Sequence, residues 1–275
     1  MAIEILGASF WRYATTMGTK RRSTSELYIP VIKPPPLKDV VNLKKINELV
    51  KAFTPNDVIA TLLKRGIVVW PLSFRGLYVS QDYETRHRDF VWASQLGLND
   101  IVTYFIYTKY GVKLYREEDL YRILYGLLVH EAYEGILRLT MEEVKAEVKV
   151  YDLELGVVGV ADLVVNDAVI EIKSGKSSPR HRLQLTAYMK ALNKQKGFLV
   201  YQDSVFEIVI NSDVLKELRY AVNRLRQLRE ELSLLSLEDV AKRYPNAISK
   251  FQYRYGVELI ELIKVLESEG FTRPR

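Results

Sequence analysis

Between residues 144 and 173 the hydrophobic residues shift from helical spacing to the short period of β-strands. Segments 144–152, 156–165 and 168–173 read as three successive strands, rich in β-branched residues that pack well on a pleated surface. Asn166 and Asp167 join the last two as a tight hairpin. One residue interrupts this pattern. Asp162 follows Gly159-Val-Ala and precedes Leu-Val-Val, so an acid stands inside an otherwise apolar strand. A buried carboxylate without a partner is expensive, so Asp162 should be paired or bound to a cation.

Glu171 and Lys173 are two apart on the last strand and leave it on one face. Asp162, across the tight turn, can lie beside Glu171. Two carboxylates converging at a strand end make a hard-oxygen site suited to Mg²⁺ or Mn²⁺. A bound ion there would polarise a phosphoryl oxygen, and a neighbouring lysine would stabilise charge on the phosphate. Plainer readings are a solvated Glu171–Lys173 pair or a structural Asp162–Lys173 pair. His130 sits upstream on a helix with Gly126 and Glu134 one turn to either side, all on one face. Gln184 and Tyr188 are likewise one turn apart on the helix after the Glu-x-Lys strand. Taken alone, His130 reads as a core or capping histidine, and Gln184 and Tyr188 as ordinary helix residues.

The rest of the chain organises around this segment. Lys33-Pro34-Pro35-Pro36 cannot be helix interior. Residues 39–53 carry apolar residues at helical spacing, and Thr54-Pro55 opens a second helix. Residues 70–115 are aromatic-rich, with short strands and a helix around 89–110. Arg116-Glu-Glu-Asp119 opens a helix to about Thr140, its acids favourable at the positive helix end. Ser178-Pro179 opens another to about Asn193. Strands follow at 197–202 and 205–211, then helices. The expectation is an α/β fold with a mixed sheet flanked by helices. Its parts would be a mixed N-terminal region (1–115), a core (116–212) and a C-terminal helical region (213–275).

The absence of cysteine excludes disulfides, thiol nucleophiles, thiolate zinc sites and cysteine-ligated iron–sulfur clusters. The start, Met-Ala-Ile-Glu-Ile, lacks the order of a signal peptide, and no apolar run is long enough to span a bilayer. A cytoplasmic protein is expected. Abundant Lys, Glu and Tyr match a thermophile's composition. A net charge of +6 admits a polyanionic partner without requiring one. Lys176, Arg180 and Arg182 are candidate phosphate contacts, Arg180 and Arg182 foremost because they lie between the lysine strand and Gln184. Lys20-Arg21-Arg22, Arg86-His87-Arg88 and Arg219, Arg224, Arg226 and Arg229 are further candidates, the last four also readable as a solvated face paired with Glu217, Glu230 and Glu231.

Together, Gly126-x-x-x-His130, Gly159-x-x-Asp162, Glu171-x-Lys173 and Gln184-x-x-x-Tyr188 resemble the RecB-like branch of the PD-(D/E)xK nuclease superfamily, over residues 120–210. The resemblance implies a restriction-endonuclease-like core and a metal-dependent DNA nuclease, an exonuclease on single strands or DNA ends. It implies metal ligation by His130, Asp162, Glu171 and the Ile172 carbonyl, catalysis by Lys173, and support from Gln184 and Tyr188. Thr54-Pro-Asn-Asp-Val58 and Tyr253-Arg254 are similar to the CRISPR-associated RecB-like exonucleases, the fourth Cas family. That likeness implies CRISPR spacer acquisition, alongside its adaptation proteins, or repair and recombination. Where that family has iron–sulfur cysteines this chain has Lys64, Ile248, Phe251 and Val257, which implies Mg²⁺ or Mn²⁺ alone and a cluster replaced mainly by apolar packing. The rival readings are an inactive nuclease-fold DNA-binding or complex-forming module, and a small-molecule phosphohydrolase.

Overall fold

The computed structural model describes residues 33–81 and 90–271. Its elements begin with α1 (Leu37–Val40), α2 (Leu43–Lys51), α3 (Pro55–Lys64), β1 (Trp70–Pro71), β2 (Leu77–Gln81) and β3 (Val91–Trp92). A 3-10 turn (Ala93–Gln95) leads to α4 (Ile101–Tyr110), β4 (Val112–Arg116) and the long α5 (Glu117–Thr140). Next come β5 (Val144–Asp152), β6 (Val157–Val165), β7 (Ala168–Ile172), α6 (Pro179–Ala191), β8 (Lys196–Val200) and β9 (Val205–Val209). Four helices close the chain: α7 (Ser212–Leu234), α8 (Leu237–Arg243), α9 (Pro245–Tyr255) and α10 (Leu259–Ser268).

Local chemistry sets several of these boundaries. Thr54 and Asp57 close a reciprocal capping box around Pro55, so α3 starts where the sequence places it. The single helix expected over 39–53 is instead two. Asn42 accepts a hydrogen bond from the Lys45 amide at 3.1 Å and caps α2, because a short polar side chain competes with the backbone for helical amides. Ser178 stands before α6, but its hydroxyl caps nothing, leaving Pro179 as the start signal. The helix expected around 89–110 contracts to α4, since residues 91–95 form β3 and the 3-10 turn.

The chain divides into two compact units. One comprises the described residues up to Ala52, Val91–Leu96 and Tyr125–Val222. Its centre is a six-stranded mixed sheet. β5 runs antiparallel along the whole of β6, from Val144 opposite Val165 to Asp152 opposite Val157. On its other side β6 pairs with β7 only over Leu163–Val165, while its first residues pair in parallel with β3. β8 is parallel to β7, and β9 closes the sheet antiparallel. Every residue of β7 is buried, as expected of a strand covered on both faces. α6 packs on the sheet at Gly197, where a β-carbon would lie 2.6 Å from Met189 Sδ. Lys190 fastens the same helix to Asp152 at 2.8 Å and Glu154 at 2.9 Å. The proline run is packed rather than free: Pro34 and Pro35 are buried, and Tyr133 Oη donates to the Pro35 carbonyl at 2.7 Å.

The second unit comprises the described residues of 53–90, Gly97–Leu124 and the described residues from Asn223. It holds a three-stranded antiparallel sheet in the order β1-β2-β4. Val79, Leu114, Tyr104, Phe251, Leu262 and Leu266 form much of its core. Of the positions matched to iron–sulfur cysteines, Phe251 and Val257 are buried in it and Lys64 is exposed. No helix among the described residues is long and apolar enough to cross a membrane. Lys20, Arg21, Arg22, Arg86, His87 and Arg88 lie outside the described residues.

Candidate active site

The site forms where the β6–β7 hairpin comes apart. The ladder ends at Leu163 opposite Ile170, one step short of the rung that would set Asp162 against Glu171. Alternate amides of β7 face β8, as when Lys173 N–H donates to the Val200 carbonyl at 2.8 Å, so Ile172 N–H faces β6. No strand carbonyl meets it. Asp162 Oδ2 accepts it instead, at 2.7 Å. The acid that interrupts the apolar strand therefore props the fork open and satisfies the amide exposed there.

Inside the fork Glu171 is buried at 1 % exposure. Its Oε1 accepts from Lys173 Nζ at 2.7 Å, and its Oε2 is buried with no hydrogen-bond partner. Lys173 Nζ also donates to Gln184 Oε1 at 3.0 Å, and Gln184 Nε2 donates to Tyr188 Oη at 3.0 Å. That chain fixes the orientation of the Gln184 amide. Tyr188 lies against Gly159, whose β-carbon would stand 2.6 Å from Tyr188 Cε1 and 2.8 Å from its hydroxyl. Only glycine permits this approach. On the other side Gly126 brings α5 close to Ser174, and one turn on, His130 Nδ1 stands 3.6 Å from Asp162 Oδ1. That is too long for a hydrogen bond. The imidazole also meets the Ile172 carbonyl and the Glu171 charge.

The electrostatics are those of crowded carboxylates. Burial raises Glu171 well above the ordinary carboxylate range, the charge of Asp162 raises it further, and Lys173 opposes both. Burial likewise raises Asp162; Lys173 and the Ile172 amide oppose this, while Glu134 and Glu147 add to it. Burial lowers His130 from its usual value, so the imidazole is neutral and keeps a lone pair. Burial also holds the Tyr188 hydroxyl far above its ordinary range, so it stays protonated. One ammonium faces two carboxylates, Glu171 buried and Asp162 partly so, and leaves one Glu171 oxygen without a partner. That is a demand for a further cation.

Among the described residues, no three His, Asp or Glu side chains form a ready-made metal cage. The donors are the two carboxylates, with the Ile172 carbonyl and the neutral His130 beside them. This suits Mg²⁺ or Mn²⁺, which take one or two protein carboxylates and keep several waters. The fit rests on the orphaned Glu171 oxygen.

The structure thus brings His130, Asp162, Glu171, the Ile172 carbonyl, Lys173, Gln184 and Tyr188 together. Residues 128–206 match the family model of the PD-(D/E)XK nuclease superfamily. Over that segment the chain is similar to this superfamily. Its mixed α/β architecture, a mixed sheet flanked by helices, is restriction-endonuclease-like. Among solved structures, the crystal structure of SSO0001 is similar at 17 % identity and a TM-score of 0.41, over 68 % of this chain and 83 % of that one. An alkaline exonuclease (LHK-Exo) from Laribacter hongkongensis is similar at 18 % identity and a TM-score of 0.35, over 52 % and 90 % respectively.

The surroundings of the site hold what the sequence reading did not find. Glu147 lies in β5 at φ 50°, skipped by the ladder between Ala146 and Val148, and so comes opposite Asp162. Its only sequence signal is an acid between two lysines on the polar side of the strand. Of the three expected phosphate contacts, Lys176 and Arg180 are exposed. Arg182 is held by Glu217, and Arg219 by Glu154 at 3.1 Å, so acids distant in sequence occupy both. Arg229 donates to the Phe90 carbonyl at 2.7 Å.

Proposed function

We propose that this chain is a Mg²⁺- or Mn²⁺-dependent nuclease that hydrolyses DNA phosphodiester bonds at the β6–β7 fork. The observation that carries this reading is the pairing of the buried Glu171 with the partly buried Asp162, with one lysine bound and one carboxylate oxygen left over. Asp162, Glu171 and the Ile172 carbonyl would hold the ion, with His130 at its edge. When bound, such an ion polarises the phosphate and lowers the pKa of a coordinated water.

The chain's own residues do the rest. Glu171 and Gln184 each take one hydrogen-bond direction of the Lys173 ammonium, which leaves its remaining donor for the attacking water or a phosphate oxygen. Tyr188, protonated and pressed against Gly159, holds Gln184 and through it the lysine. The neutral His130 offers its lone pair without adding charge. Lys176 and Arg180 meet the flanking phosphates. The substrate is single-stranded DNA or DNA ends, cleaved exonucleolytically. A role in CRISPR spacer acquisition or in repair rests on the sequence resemblance.

The deciding experiment is cleavage of end-labelled single- and double-stranded DNA with Mg²⁺ or Mn²⁺, comparing wild type with Lys173→Ala and Glu171→Gln. Metal-dependent cleavage lost in both variants, with folding intact, is expected. DNA binding by wild type with no cleavage under any metal would refute the reading.

A further inference from the structure

Beside the fork stands a group of rings that the proposed chemistry does not use. Lys173 N–H donates to the Val200 carbonyl, so Tyr201, the next residue, lies roughly one strand spacing, about 4.8 Å, from the lysine's backbone. Tyr201 is buried at 4 % exposure. His181, in the first turn of α6, meets it from one side: its Nδ1 is 2.9 Å from Tyr201 Oη, with ring centroids 5.8 Å apart. Phe206 on the edge strand β9 meets it edge-on at 5.8 Å and 81°. Phe206 remains 50 % exposed and His181 partly exposed. One buried ring therefore holds two outward rings in fixed orientation.

The charges around these rings select their partner. Arg180 precedes His181 in α6 and Lys176 lies on the loop before that helix; both are exposed, and among the described residues no acid pairs with either. The acid on the loop after Tyr201, Asp203, is neutralised by Lys38 at 3.0 Å. The patch thus offers aromatic faces beside unopposed cations. That combination fits bases on a polyanionic backbone. In a duplex the base faces are already stacked on one another, so a strand must be unpaired to present them here.

We propose that His181, Tyr201 and Phe206 form a base-stacking ledge that receives single-stranded DNA next to the cleavage site. This deepens the nuclease reading and rests on it for the path of the backbone. The ledge places an unpaired nucleotide beside Lys173, with its phosphates toward Arg180 and Lys176. Selection for single strands then comes from the bases rather than from charge.

The test is binding without metal, in EDTA, so that no cleavage is read. Wild type, Phe206→Ala, Phe206→Trp and His181→Ala are titrated with a fluorescent oligothymidine and with an abasic oligonucleotide of equal length and charge. Stacking on one ring favours the base-bearing strand by roughly fivefold to a hundredfold. Wild type is expected to show that preference, Phe206→Trp to keep it, Phe206→Ala to lose most of it, and His181→Ala to reduce it. Phe206 is exposed, so unchanged melting of its variants separates stacking from folding. Equal wild-type affinity for the two strands, or an equal loss on both in Phe206→Ala, would overturn the ledge. Failure of the nuclease reading registers separately, as wild type that does not cleave in metal.

Discussion

The contact between Gly159 and Tyr188 makes one substitution unusually informative. In Gly159→Ala a methyl group would sit 2.6 Å from Tyr188 Cε1, against an unstrained carbon–carbon separation of about 3.5–4.0 Å, so the ring must retreat by about 1 Å. Overpacking of this kind costs about 1–3 kcal/mol, which lowers the melting temperature by several degrees while the fold survives. The retreat carries Tyr188 Oη away from Gln184 Nε2, now 3.0 Å distant, and frees the amide that braces Lys173. Misplacement of a catalytic group by about 1 Å costs on the order of a hundredfold in rate. The assay is single-turnover cleavage of end-labelled single-stranded DNA in Mn²⁺, beside thermal melting of the same preparation. The expected result is a modest melting shift with a rate loss of roughly a hundredfold. Melting that falls as expected while the rate stays within twofold of wild type would refute the bracing role of Tyr188 and Gln184.

Other outcomes follow from the same geometry. Asp162 and Glu171 keep their protons to higher pH folded than unfolded, so their contribution to stability is greatest below the ordinary carboxylate range. It falls as pH rises through their raised values. A divalent cation relieves this, so Mg²⁺ or Mn²⁺ should raise the melting temperature more at pH 8 than at pH 5.5, and Glu171→Gln should shrink the difference; a shift independent of pH would contradict the site. Glu217→Ala frees the half-exposed Arg182 at little cost in stability, since such pairs contribute about 0–1 kcal/mol. It should tighten DNA binding and steepen its salt dependence by about one charge, read from affinities at several salt concentrations. Lys190→Ala strands the buried Asp152 carboxylate, and chemical denaturation should show a loss of about 3 kcal/mol.

The elements that form the site were legible in the sequence because they are local. Strands β5, β6 and β7 were bounded to within a residue or so by their short period, and Asp162 declared itself as an acid among apolar neighbours. What was not legible depends on meetings between distant segments. The two-residue strand β3 finds β6 from the far side of α5, and nothing around Val91 and Trp92 announces a parallel partner. Arg182 and Arg219 read as phosphate contacts because a sequence shows charge but not who holds it; Glu217 and Glu154 do. The break at Asn42 was hidden because the apolar residues on either side keep one helical phase across it, while a single side-chain oxygen caps the new start. His181, Tyr201 and Phe206 come from three elements and become one cluster only in the fold.

Asp162 binds the Ile172 amide where the strands part, so the chemistry and the shape of the hairpin depend on one carboxylate. Without an acceptor there, that amide would turn to the nearest carbonyl of β6, and the hairpin would zip shut over the fork. A graft of Asp162, Glu171 and Lys173 onto an ordinary hairpin would therefore reproduce the residues without the opening. Asp162→Asn, which keeps an oxygen for the amide, tests the charge alone, whereas Asp162→Ala removes the charge and the amide's acceptor together.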